Sequence, residues 1–189
     1  MTHTNWRDIS YLKRGTETQQ RAFAVLNKHN ILESLAAFDP VLVSTVCVDL
    51  DIEGSDLDII CCHRNIDAFI ATLVSTFGNY PGFRQWDRKS DHEEMVTSFH
   101  ADDFEVEIYG SIVPVNAQFA YRHLSIMEQV LKIGGEPLRN QVRALKISGL
   151  KTEPAFAKVL GLPGDPFAAF LDLERLSDTQ LKELIRKSA

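Results

Sequence analysis

The 189-residue chain has no apolar run approaching the roughly 20 residues that a bilayer span requires. The opening Met1-Thr2-His3-Thr4-Asn5-Trp6 lacks the apolar core of a signal peptide. A cytoplasmic location with no membrane contact is therefore expected. Cysteine is scarce: Cys47, Cys61 and Cys62 are an odd number in a chain without an export signal, which argues against a disulfide framework and for reduced core thiols. No second Cys-x-x-Cys or His-x-x-x-His stands by to complete a zinc tetrahedron around Cys61-Cys62-His63. Positive charge is in deficit, 20 Lys and Arg against 26 Asp and Glu, and the formal charge of −6 disfavours a surface built to grip nucleic-acid backbone. Neither a Walker phosphate loop nor a Gly-x-Gly-x-x-Gly fingerprint occurs, so P-loop and Rossmann readings lack support. Internal repeats and low-complexity tracts are missing as well. The rest is ordinary for a soluble globular chain, 44% hydrophobic and 24% charged. Its length suits one domain, or one domain with a helical extension.

The informative stretch is Gly54-Ser55-Asp56-Leu57-Asp58-Ile59-Ile60, two carboxylates two residues apart at the head of an apolar run. If the run is a strand, Asp56 and Asp58 project from one face, Leu57 and Ile59 from the other. Two acids on one face of a largely buried strand repel unless a cation lies between them, and a divalent metal is the usual choice. The alternative is a solvent-facing strand start. An EF-hand is a poorer fit to Asp49-x-Asp51-x-Glu53-Gly54, because Ile60 stands where a bidentate Glu is required.

Element boundaries follow from local chemistry. Thr16-Glu17-Thr18-Gln19 has the form of a capping box, and Ala22, Phe23 and Leu26 then recur at helical spacing, predicting a helix to about His29. A helical turn over 31–36 should end before Asp39-Pro40. A strand from Val41, the acidic loop and a strand ending near Cys62 come next. A helix over 67–77 should stop at Gly78. Strands are expected over 83–88 and 94–101, the latter joined through Asp102-Asp103 in a tight hairpin to Phe104-Glu105-Val106-Glu107-Ile108-Tyr109. That hairpin would carry Glu107 into the middle of a mixed sheet. From Asn116 onward the pattern is helical: 117–133, a break at Gly134-Gly135, a restart at Pro137 running to about Ser148, then 155–160, 167–173 and 181–187, the last behind a second capping box at Ser177. The expected class is α+β, a mixed sheet flanked by helices with a helical C-terminal portion. The expected domains are a 1–115 α/β core and a 116–189 helical region packed on it.

Several blocks together carry a resemblance: Tyr11-Leu12-Lys13, Asp51-Ile52-Glu53-Gly54-Ser55-Asp56-Leu57-Asp58, Glu107-Ile108-Tyr109-Gly110, Tyr121-Arg122-His123 and Lys151-Thr152-Glu153-Pro154-Ala155-Phe156. So does Ser44-Thr45, which ends an apolar run twelve positions before Asp56. The chain resembles an uncharacterised bacterial family of unknown function within the polymerase-β-like nucleotidyltransferase superfamily. In that superfamily a Gly-Ser or Gly-Thr pair precedes the Asp-x-Asp strand and lies near the nucleotide phosphates. Two Asp residues and a third acid on a neighbouring strand hold magnesium.

The resemblance thus implies Asp56, Asp58 and Glu107 as catalytic and metal-holding residues, with Mg2+ or Mn2+ as cofactor. It implies Ser44, Thr45, Gly54 and Ser55 around the nucleotide, and Arg122 and Lys151 as phosphate or acceptor contacts. Glu107 is preferred to Glu105 because it lies deeper in its strand. The expected partners are a nucleoside triphosphate and an unknown small-molecule or protein acceptor. Two departures stand out: Ser44 and Asp49 occupy positions where the superfamily carries Gly, whose freedom lets backbone approach phosphate. A module that senses nucleotide or binds protein on the same fold, without catalysis, is the rival reading. Arg139, Arg143 and Lys146 share a helix face, either as a cationic wall or as a solvated stripe. His123 is either an acid–base group or a packed histidine.

Overall fold

The computed structural model describes residues 4–87 and 93–188, so the expected strand over 83–88 leaves the described residues at Arg88, as does the segment Met1-Thr2-His3. The chain divides into two compact units. One comprises the chain up to Asp49 together with Glu53–Tyr121, and the other Leu50–Ile52 together with the chain from Arg122 onward.

The first unit is built on strands β1 (Val41–Leu42), β2 (Leu57–Cys62), β3 (Arg84–Asp87), β4 (Glu94–Ala101) and β5 (Phe104–Ser111). They form one mixed sheet in the order β1-β2-β5-β4-β3. The pairs β1–β2, β5–β4 and β4–β3 run antiparallel, whereas β2 and β5 run parallel at the centre. The β4–β5 turn is as tight as expected, with Asp102 in the left-handed region at φ 51°, a conformation Asp tolerates better than most residues.

One face of this sheet is apolar. Helix α1 (Glu17–Lys28) starts at Thr16, whose side chain and Gln19 close the capping box in both directions. The short α2 (Ile31–Ser34) follows it. Helix α3 (Ile66–Phe77) begins at Asn65, whose side chain accepts from the Ala68 N–H. Phe77 of α3 stacks on Phe99 of β4 with centroids 4.7 Å apart. Phe69 lies so close to Gly110 that a Cβ there would fall 2.0 Å from its ring. That glycine of β5 is thus the space in which α3 seats on the sheet. Arg21 of α1 lies over the Phe104 ring at 5.4 Å, which places α1 on the same face.

The second unit is helical: most of α4 (Phe119–Ile147), then α5 (Thr152–Leu160), α6 (Pro166–Asp172) and α7 (Asp178–Ser188). The interruption expected at Gly134-Gly135 falls at Gly135, whose φ 62° and ψ −162° only glycine adopts without strain. Pro137 then sits in the first turn of the continuing helix, where its missing N–H costs nothing. Phe156 of α5 and Phe170 of α6 stack at 4.9 Å in the core of this unit. The second capping box also forms, Ser177 N–H donating to Gln180 Oε1 at 2.9 Å. The α+β class holds: a mixed sheet flanked by helices, with a helical C-terminal part.

Candidate functional site

The opposite face of the sheet carries the acids. Residues paired across neighbouring strands share a face, and Asp58 of β2 pairs with Glu107 of β5. Glu107 pairs in turn with Ser98 of β4, and Ser98 with Arg84 of β3. One straight row thus crosses four strands: Asp58, Glu107, Ser98, Arg84. Parallel neighbours lie about 4.8 Å apart, so two carboxylates face each other at the centre of the sheet. Like charges directly opposite destabilise a strand pair. Asp56 precedes β2 by one residue and lies two positions before Asp58, on its side of the chain. All three acids are half-buried.

Ser44 holds this arrangement. It is only 1% exposed. Its hydroxyl donates to the Asp56 carbonyl at 2.6 Å and accepts from the Val46 N–H at 3.2 Å. The hydroxyl expected beside a nucleotide phosphate is therefore committed inside the protein, where it pins the backbone just ahead of Asp58. It also caps a 3-10 turn over Thr45–Val48 that the apolar pattern did not announce. Thr45 is half-buried in that turn. Asp49 closes the turn at φ 54°, ψ 49°, so the backbone takes the left-handed geometry that glycine would supply and Asp tolerates. Gly54 has φ 79°, with nothing within 4 Å of where a Cβ would stand, and Ser55 beside it is half-buried.

Glu105 and Glu107 have different neighbours. Glu105 accepts from Arg84 Nη2 at 3.0 Å, while Arg84 Nε donates to Ser98 Oγ at 3.2 Å. Glu107 stands between Asp58 and Ser98 in the row. The donor set of Asp56, Asp58 and Glu107 is all carboxylate oxygen, which suits a hard cation such as Mg2+. Their side chains are not drawn into a closed cage: among the described residues, no three His, Cys, Asp or Glu side chains are grouped as metal ligands. The backbone brings the three positions together, and rotation about their side-chain bonds is what a shared cation would require.

The cationic residues named from sequence lie in the helical unit and are largely committed there. Arg122 forms an ion pair with Glu174 at 2.6 Å. His123 Nδ1 lies 3.1 Å from Glu153, joining two of the sequence blocks. Burial favours the protonated form of Glu153, but the hydrogen bond and charge of His123 outweigh it and hold the carboxyl below the usual range. Lys151 is exposed at the N-cap of α5. The shared face of Arg139, Arg143 and Lys146 is not a solvated stripe. Lys146 is 6% exposed and donates to the Leu50 carbonyl at 2.5 Å, and Arg139 pairs with Glu136 at 3.1 Å. The three cysteines are free; burial pushes the Cys47 thiol up to about 12 and raises Cys61 as well, so neither is a ready nucleophile.

Sequence reasoning did not single out Arg84 or Trp86. Both belong to β3, and Arg84 lies 5.9 Å from the Trp86 ring. The available signal was their alternation in a short run opposite Ser98, which identifies a face only once the register is known.

In comparison with known proteins, the family described as "Domain of unknown function (DUF4269)" matches residues 24–173. No curated protein matches the chain. Among solved structures, the chain is similar to one described as "Structure and function of the polymerase core of TRAMP, a RNA surveillance complex", at 11% identity and a TM-score of 0.49. The match covers 95% of this chain and 60% of that one. A likeness of that size carries no argument about activity. No helix among the described residues is long and apolar enough to cross a membrane.

Proposed function

Because the chain belongs to the DUF4269 family, a membership that assigns no chemistry, we propose from its acid row that it is a magnesium-dependent nucleotidyltransferase. It would move a nucleoside monophosphate from a nucleoside triphosphate to an acceptor. The observation that carries this reading is the direct pairing of Asp58 with Glu107 across parallel central strands, with Asp56 two residues upstream. Carboxylates in register across neighbouring strands present oxygen ligands that one hard cation can share, and its binding offsets their repulsion.

Asp56 and Asp58 would hold magnesium, with Glu107 completing the oxygen shell. When bound, magnesium would neutralise the triphosphate and the departing pyrophosphate. Glu107, beside the acceptor, takes the proton of its hydroxyl. The acceptor oxygen then bonds to the α-phosphorus as the bond to the bridging oxygen breaks, and pyrophosphate leaves. Ser44 acts as a positioning residue through the Asp56 carbonyl. Thr45, Gly54 and Ser55 belong to the two turns that would border the phosphates, as small-residue turns do for anions.

The commitment of the Ser44 hydroxyl to the Asp56 carbonyl favours a second reading, a nucleotide-sensing module that binds without turnover. The test is magnesium-dependent release of pyrophosphate from each of the four ribonucleoside triphosphates, paired with calorimetric binding. Release that vanishes in Asp56→Asn, Asp58→Asn and Glu107→Gln supports the transferase. Binding without release supports the sensor, and an absence of both removes nucleotide chemistry from this fold.

A further inference from the structure

Beyond Glu107 the acid row continues to Ser98 and Arg84 at the edge of the sheet. Arg84 is the last residue of that row. Its planar guanidinium is held by Ser98 Oγ and Glu105, and faces the ring of Trp86 at 5.9 Å. Both side chains are open to solvent: Trp86 is 41% exposed and Arg84 is 66% exposed. Trp86 is a large aromatic ring on the edge strand of the sheet. Its partner here is a cation already neutralised by Glu105, so the pair offers a flat, polarisable surface in preference to net positive charge.

We propose that Trp86 and Arg84 form a seat for a nucleobase on the acceptor, which makes the acceptor a nucleoside or nucleotide. The proposal rests on the transferase reading for its direction. Glu107 lies between Asp58 and Arg84 in the row, so what stands on the Arg84 side of Glu107 is the acceptor. Trp86 is two strands from Glu107 and two residues along from Arg84, about 12 Å between backbones. A nucleoside whose ring lies on the tryptophan can reach back over that span with its sugar hydroxyl. Stacking on an aromatic ring with an arginine beside it is how proteins hold bases without reading their edges. The formal charge of −6 favours a single nucleotide over a polymer, which needs a basic track.

The chain has two tryptophans, and they are distinguishable: Trp6 is 4% exposed against Tyr11, whereas Trp86 faces solvent. Emission excited at the tryptophan edge is titrated, without metal, with the four nucleoside monophosphates and with ribose 5-phosphate as the base-free control. The expected result is saturable quenching by at least one monophosphate and none by ribose 5-phosphate, lost in Trp86→Phe and kept in Asp58→Asn. By equilibrium dialysis Trp86→Phe retains binding of that monophosphate, and Trp86→Ala weakens it about tenfold or more. Quenching that persists in Trp86→Phe, or that ribose 5-phosphate reproduces, overturns the seat. So does a complete absence of quenching. Pyrophosphate release without quenching removes this inference alone, whereas quenching without release keeps the nucleobase seat and removes the transferase together with the acceptor role of its ligand.

Discussion

Whereas the helical unit sets Arg122 against Glu174 and His123 against Glu153, the sheet unit sets Asp58 directly against Glu107. The first arrangement is complete in itself. Arg122 and Glu174 answer one another at 2.6 Å, His123 and Glu153 at 3.1 Å, and Lys146 answers a backbone carbonyl. The second sets two carboxylates in register across neighbouring strands, where like charges repel. Opposite partners hold a scaffold together, whereas acids in register offer a cation oxygen ligands to share. The proposed site rests on the acid row, while the partners of Arg122 and His123 lie with them in the helical unit.

The comparison can be broken at its strongest point by Asp58→Asn. This substitution should cut magnesium-dependent pyrophosphate release by roughly a thousandfold or more. The metal-free protein should melt no lower, and by up to a few degrees higher, because one of two facing charges is gone. Calorimetry in chelator reads the second effect, and a marked fall in melting temperature would show that the acids stabilise the fold instead.

The mirror experiment is Glu153→Ala. Removing the carboxylate takes a hydrogen bond from His123, which lies 5.8 Å from the Phe170 ring, and should cost roughly 2 kcal/mol. The pH dependence follows from the carboxyl's depressed proton affinity. The unfolded chain binds the proton at higher pH than the folded one, so stability is fully present above the ordinary Glu range. It is lost as pH falls through the depressed value. Urea melts across that acid range should show a fall in wild type that is shallower in Glu153→Gln. Equal slopes would remove the pair from the account.

Ser44→Ala sharpens the contrast from the scaffold side. It deletes a cap and a hold on Asp56, costing about 1 kcal/mol, with a drop in release larger than the stability loss accounts for. Turnover equal to wild type would reduce Ser44 to a packing residue. The smallest effect is expected at Glu105→Gln, whose pairing with Arg84 is half-exposed. Stability should shift by less than about 1 kcal/mol, and turnover should stay near wild type. A turnover loss matching that of Glu107→Gln would mean the wrong glutamate was chosen.

Much of the architecture was legible because it is written locally. Both capping boxes, the Asp102-Asp103 hairpin and the interruption near Gly135 depend on residues a few positions apart. Alternation alone placed Glu107 on the opposite face from Val106. What local patterns could not supply were the partners reached across long stretches of chain. Lys146 reads as a surface cation by helical spacing and is buried because the Leu50 carbonyl claims it. Ser44 is named beside the nucleotide by the resemblance, and its hold on the Asp56 carbonyl twelve residues away is invisible to local pattern. Arg84 and Trp86 gain meaning only from the register that aligns them with Glu107. The Thr45–Val48 turn escaped notice because its apolar residues continue the pattern of the strand before it.

The parallel pairing of β2 with β5 also sets the moment at which the site comes into being. Asp58 and Glu107 are about fifty residues apart in the chain, with α3, β3 and β4 between them. Contacts of such separation form slowly, after the local helices and the β4–β5 hairpin. A nascent chain emerging from the ribosome therefore carries Asp56 and Asp58 long before it has their third companion, and a protein halted there has no row of acids at all. The cation binding proposed for the row would in this sense be a certificate of a finished sheet, and it should appear in refolding only with the last kinetic phase.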